Sequence, residues 1–231
     1  MSVSYKNKKQ YRKHEKKTNK QNSKLTNKIR KHIKKMKGGN NINRLNFINI
    51  FKNGSFFFNP KIEIILQLIY DNNQHLIENY LSSGTTKQVF SASNNKVFKV
   101  VIFPHDELGR AILEPLYMLS SQYCNTPFDI TVYCNTSNCK IDNVTIINCV
   151  DLVDSGIITW YEERAVKTDI LTFVGEEKSA AIEFVKKTIP ELEKDLFTDL
   201  GFVNVGLFAD EPKYRWIDVQ PSIEKLRYTC L

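Results

Sequence analysis

Two apolar-rich runs, Gln88-Val89-Phe90-Ser91-Ala92 and Lys96-Val97-Phe98-Lys99-Val100-Val101-Ile102, flank Ser93-Asn94-Asn95. β-Branched and aromatic residues on both sides of a short Asn-Asn turn predict an antiparallel hairpin, because asparagine tolerates the positive φ of such a turn. From Gly84 onward the chain reads as strands, and Lys99 lies inside one of them. Ahead of the hairpin, Pro60 opens a helix-period stretch in which Ile62, Ile64, Ile65, Leu68, Ile69, Leu76, Ile77 and Leu81 fall largely on one face, with a break at Asp71–Asn73. Earlier still, Phe47–Phe51 and Phe56–Phe58 flank Asn53-Gly54 and read as a hairpin or a packing arm.

Beyond the hairpin, residues 106–121 predict a helix and 128–134, 144–153 and 157–164 predict strands. Residues 177–197 predict a second long helix, kinked or restarted at Pro190. Asn204–Phe208 and Tyr214–Val219 read as two strands joined by Ala209-Asp210-Glu211-Pro212. The fold class expected is α+β.

Charge divides the chain. The formal net charge is +8, but residues 1–38 hold 15 Lys/Arg against the single acid Glu15, for +14, and the remainder carries −6. Such a Lys/Asn-rich segment cannot bury enough surface to offset the entropy of ordering it. The expected organisation is a disordered basic tail over 1–45, a packing arm and helix over 46–81, and a folded domain over 82–231. Nucleic acid, or another polyanion, is expected to be held by the tail alone.

Hydrophobic residues at 42% and charged residues at 25% are ordinary for a globular domain. With no apolar run of about 18 residues, no membrane span is expected. The five cysteines (Cys124, Cys134, Cys139, Cys149 and Cys230) follow no apolar leader. Free thiols and an intracellular, cytoplasmic location are the expectation. Segment 128–149 alternates, so a hairpin with buried thiols is favoured and no zinc is expected.

Asp199-Leu200-Gly201-Phe202-Val203-Asn204 has the D-x-x-x-x-N spacing of the protein kinase catalytic loop, and Asp218 follows Asn204 by 14 residues in Trp216-Ile217-Asp218-Val219-Gln220. Lys99 in Val97-Phe98-Lys99-Val100 looks like the lysine of V-A-I-K, and Gly84-Thr85-Thr86-Lys87-Gln88-Val89 resembles the second half of the glycine-rich loop. Over residues 82–220 the chain resembles the protein kinase superfamily. The resemblance implies a kinase-like N-lobe with a strongly truncated C-lobe, since 13 residues follow Asp218. It implies ATP and Mg²⁺ as cofactors, with Lys99, Asp199 and a helix glutamate in catalytic roles. Glu114 is the preferred glutamate, with Glu107 as the alternative. Gly84, Thr85, Thr86, Val89, Lys99 and Glu162 would bind nucleotide, and Asn204 and Asp218 would hold the metal.

The letters depart from the family where Ser82 and Lys87 replace glycines, Phe197-Thr198 replace His-Arg, and Val-Gln follows Asp218. Two functions stay open. One is a phosphotransferase acting on a protein or a small hydroxyl acceptor. The other is a catalytically dead, pseudokinase-like module that binds a protein partner. Lys-Met-Lys-Gly-Gly in the basic tail resembles leaders on proteins of large cytoplasmic DNA viruses, which implies a host-cytoplasmic or virion location and a virion-associated role as a third option.

Overall fold

A computed structural model describes residues 42–54, 58–83, 87–136, 140–195 and 197–221. The expected disordered tail falls almost wholly outside these residues. Its expected end at residue 45 lies inside a helix, α1 (Arg44–Gly54), and the Ile42 amide already donates to the Glu78 carbonyl at 2.6 Å.

Residues 44–54 form helix α1 and not the first strand of the hairpin that is one of the two expectations around Asn53-Gly54; Phe56 and Phe57 lie outside the described residues. Asn43 starts it by accepting the Asn46 amide at 2.9 Å. Phe47 and Phe51, four residues apart, stack down one face and reach Phe90, the Phe47 and Phe90 ring centroids lying 4.9 Å apart. Helix α2 (Pro60–Asn73) is capped by Asn59, whose side chain accepts from the Lys61 and Ile62 amides, with proline in its first turn. It ends at the Asp71–Asn73 break. Ile77–Ser83, read from the sequence as its continuation, is instead the edge strand β1.

The strands β2 (Lys87–Ala92), β3 (Lys96–Pro104), β4 (Phe128–Cys134), β5 (Val144–Asn148) and β6 (Ser155–Glu163) complete a six-stranded sheet in the order β1-β2-β3-β6-β4-β5. Asn94 and Asn95 turn the β2–β3 hairpin at φ 60° and 57°. Every pairing is antiparallel except β4 with β5, so the hairpin expected over 128–149 is instead a parallel pair. The α+β class therefore holds, with a mixed sheet.

Alternation along β2, β3 and β6 assigns opposite faces. Phe90, Phe98 and Tyr161 are cross-strand neighbours facing α1 and α2. The opposite face takes Lys87, Val89, Lys99, Val101, Ile158, Trp160 and Glu162. There Ile112 of helix α3 (Leu108–Ser120) packs into a core with Val101, Ile158 and Trp160. Both faces are covered, which is why β3 and β6 are buried almost throughout.

The rest of the chain builds a second core around helix α4 (Gly175–Lys194), one continuous helix in which Pro190 causes no restart. Two short ribbons pack on it. One has strand order β10 (Tyr214–Trp216), β9 (Val205–Leu207), β7 (Lys167–Thr168). The other pairs β11 (Gln220–Pro221) with β8 (Phe197–Thr198). Met118, Phe173, Val185, Leu192, Val205 and Trp216 are buried together, and the Trp216 indole N–H donates to Thr188 Oγ1 at 3.0 Å. No helix among the described residues is long and apolar enough to cross a membrane.

Candidate functional site

The inner face of the sheet meets the second core at a buried group of charges. Lys87 of β2, Lys99 of β3 and Glu162 of β6 share that face because strand residues two apart point the same way and cross-strand partners point together. Helix α3 contributes Glu114, and the segment after β10 contributes Asp218. Trp160 forms the floor, with the Lys87 and Lys99 Nζ atoms 5.5 and 5.8 Å from its ring centroid.

Two networks divide this group. The Lys87 Nζ donates to Glu114 Oε1 and, at 2.7 Å, to Asp218 Oδ1. The Lys99 Nζ lies 2.6 Å from Glu162 Oε1 and donates to the Ile217 carbonyl, also at 2.6 Å. Glu162 accepts further bonds from the Trp160 indole N–H at 2.7 Å and the Asn125 amide at 3.0 Å.

This geometry corrects two sequence expectations. Glu114 does pair a strand lysine, but its partner is Lys87 and not Lys99. The β2–β3 register explains the exchange: Lys87 lies opposite Val101, two residues along β3 from Lys99, and so takes the position over α3. Glu162, expected to contact nucleotide, is fully buried, and its carboxylate is committed to Lys99, Trp160 and Asn125.

The Asp218 segment gathers the remaining candidates. Residue Thr198 pairs with Gln220, which brings the start of the Asp199–Asn204 loop to the segment that holds Asp218. The Ile217 amide donates to the Asn204 carbonyl at 2.8 Å, so Asn204 sits beside the residue preceding Asp218. Asp199 adopts φ 60°, a left-handed conformation that aspartate tolerates better than most residues. The Asn204 Nδ2 and the Gly201 amide both donate to the Asp199 carbonyl, at 2.8 and 2.9 Å. A carbonyl can only accept, so the Asn204 Nδ2 must face Asp199 and its Oδ1 points away. The Asp199 carboxylate is exposed, without an ion-pair partner among the described residues. Val89 is half-buried opposite Lys99. Gly84, Thr85 and Thr86 lie outside the described residues.

No protein-family model and no curated protein matches the sequence.

Electrostatics follow the burial. Desolvation alone would lower the Lys87 ammonium, but Glu114 and Asp218 outweigh it and hold it above its ordinary value, protonated. Burial raises the Glu114 carboxyl in spite of Lys87. Burial also pushes Asp218 up, but the two lysines outweigh it and leave the carboxyl below the ordinary range. Burial pushes the Cys124 thiol up to about 12 and the Cys134 thiol up to about 11, which favours their neutral forms. No group of three His, Cys, Asp or Glu able to hold a metal occurs among the described residues.

The sequence reading passed over four residues. In the sequence Lys87 stands out only as a departure from glycine, although strand alternation from Val89 places it on the Lys99 face. Trp160 is readable in the same way. Asn125 lies in an irregular segment with no periodic signal. Arg215 binds Glu163 and Asp210, each at 2.7 Å, and stacks on Phe208, which ties the end of β6 to the β9–β10 ribbon.

Proposed function

We propose that residues 82–231 form a divergent kinase-like domain that binds ATP with Mg²⁺ and transfers phosphate to a protein or small hydroxyl acceptor. The observation that carries this reading is the convergence on segment 216–220: a lysine–glutamate pair from strand and helix, the Asp199–Asn204 loop, and the Asp218 carboxylate. Phosphoryl transfer depends mainly on placed charge. The donors present suit a hard cation: the Asp218 carboxylate and the Asn204 Oδ1, which is turned away from Asp199, are both oxygen ligands. Mg²⁺ commonly takes one or two protein ligands and completes its shell with water and phosphate, so a cluster of three carboxylates is not required. When bound, the cation would offset phosphate charge. The exposed Asp199 carboxylate would accept the proton of the acceptor hydroxyl.

A second reading, the binding module without turnover, is favoured by one observation. The Asp218 carboxylate is ion-paired to Lys87, so the carboxylate that a cation would use already has an internal partner. Thermal unfolding with Mg-ATP tests nucleotide binding, because a ligand of the native state raises stability by mass action. A rise in Tm with millimolar Mg-ATP, lost in Asp218→Ala, supports the proposal; indifference of the wild type refutes it. Phosphate release or transfer by the wild type but not by Asp199→Asn separates the enzyme from the module. The basic segment 1–38 is proposed to bind polyanions independently of this site.

A further inference from the structure

The site holds two buried lysines, and they are not equivalent. Lys99 is locked. Its carboxylate partner Glu162 has a side chain 1% exposed and is held in addition by Trp160 and Asn125. Its other acceptor is a backbone carbonyl, which cannot leave. Lys87 has one fixed partner, Glu114, with a side chain 13% exposed, and one movable partner, Asp218, whose side chain is 40% exposed. An anion approaching from solvent can replace Asp218 at Lys87. It cannot replace Glu162 at Lys99 without opening a buried network.

We propose that Lys87 on β2, and not Lys99 on β3, is the cation that receives a polyphosphate ligand, and that the ligand displaces Asp218 from it. The inference rests on the nucleotide reading above for the identity of the ligand, but not for the assignment of the lysine. The displaced Asp218 carboxylate becomes free to hold the divalent cation accompanying the phosphates, so the Lys87–Asp218 pair is exchanged for one contact with each half of the ligand. Lys99 is a positioning residue: it ties Glu162 to the Ile217 carbonyl and so fixes the backbone that presents Asp218.

Titration calorimetry with two probes, Mg-ATP and inorganic tripolyphosphate, tests this. Lys87→Met should weaken both by at least about tenfold, the usual consequence of losing a charge-assisted bond to phosphate. Asp218→Asn should strengthen metal-free tripolyphosphate binding severalfold, because the competing internal partner is removed, and should abolish the gain from Mg²⁺. A mere metal ligand would leave metal-free binding unchanged. Should Lys87→Met fail to fold, an acyl-phosphate derivative of ATP decides on the wild type. A lysine lying against the phosphates attacks the acyl carbonyl through its deprotonated fraction, the proton passing to solvent; the acyl–phosphate bond breaks, ATP leaves, and an amide stays on that lysine for peptide mapping. Labelling at Lys87, blocked by excess Mg-ATP, supports the assignment. Labelling at Lys99 or at neither lysine, wild-type affinity in Lys87→Met, or unchanged or weaker metal-free binding in Asp218→Asn overturns it. Binding of tripolyphosphate but not ATP refutes the nucleotide reading alone, and binding of neither refutes both.

Discussion

Removing the Glu162 carboxylate should be among the most damaging single changes in the protein. Glu162 is fully buried and lies 2.6 Å from the Lys99 ammonium. At an effective dielectric of about 20, a pair at that distance has a gross attraction of about 6 kcal/mol. Much of it offsets the desolvation of two ions, so the pair is worth little beyond an apolar pair of the same volume. Glu162→Ala is different, because it keeps the cost of burying Lys99 and deletes the attraction. Breaking one side of such a pair costs about 3–5 kcal/mol. The Trp160 N–H and the Asn125 amide lose an acceptor as well. A domain of this size shifts by about 2–4 °C per kcal/mol, so a fall in Tm of about 10 °C is expected. Urea unfolding of Glu162→Ala, Lys99→Met and the double variant Lys99→Met/Glu162→Leu measures the coupling. The double variant should recover much of the stability that each single change loses, because no charge is left stranded. Additivity of the single changes within about 0.5 kcal/mol, or a cost below about 1 kcal/mol for Glu162→Ala, would refute the account.

Gly156→Ala should destabilise by about 1–3 kcal/mol, read from the urea midpoint, because a Cβ there would lie 2.5 Å from Phe103 Cζ and 3.0 Å from the Tyr133 carbonyl. Because the folded Asp218 carboxyl is held below its ordinary value, its contribution is present above the ordinary aspartate range and is lost as pH falls through the lowered value. Stability profiles of the wild type and Asp218→Asn should therefore converge at acid pH, and a gap that persists there would contradict the Lys87 pairing. A chain starting at Asn40 should lose DNA and RNA retention that is steeply salt-dependent in the full chain, since residues 1–38 carry net +14; equal retention by the shortened chain would assign polyanion binding elsewhere.

The hairpin, the α3 and α4 helices and the β9–β10 ribbon were legible because each is set by local chemistry: an Asn-Asn turn, a 3.6-residue apolar period, a short loop between alternating runs. Misreadings occurred where local and tertiary signals compete. Phe47 and Phe51 fit a strand or a helix equally on short range, and only their packing against Phe90 selects the helix. Ile77 and Leu81 continue the α2 period by accident of spacing. Segments 128–134 and 144–148 show the alternation of paired strands, but alternation carries no information about parallel or antiparallel direction. In the site, the residue types were legible and their partners were not. A one-dimensional match sends Glu114 to the lysine in the more familiar position, whereas pairing depends on the β2–β3 register, which decides which lysine stands over α3.

The balance of charge in the site bears on which ligand could enter it. Lys87 and Lys99 face Glu114, Glu162 and Asp218, so with all five ionised the group carries one excess negative charge. The excess lies at the exposed edge, on Asp218, because the other two carboxylates are enclosed. A polyphosphate arriving alone would bring more negative charge toward that edge and would have to compete with Asp218 for Lys87. A divalent cation arriving alone would find Asp218 already engaged. On the proposed reading the two would exchange partners on arriving together, phosphate to Lys87 and cation to Asp218, and each exchange would remove what opposes the other. Strong mutual dependence of metal and phosphate is therefore the behaviour expected of this arrangement, and it follows from the excess charge sitting on the one acid that solvent can reach.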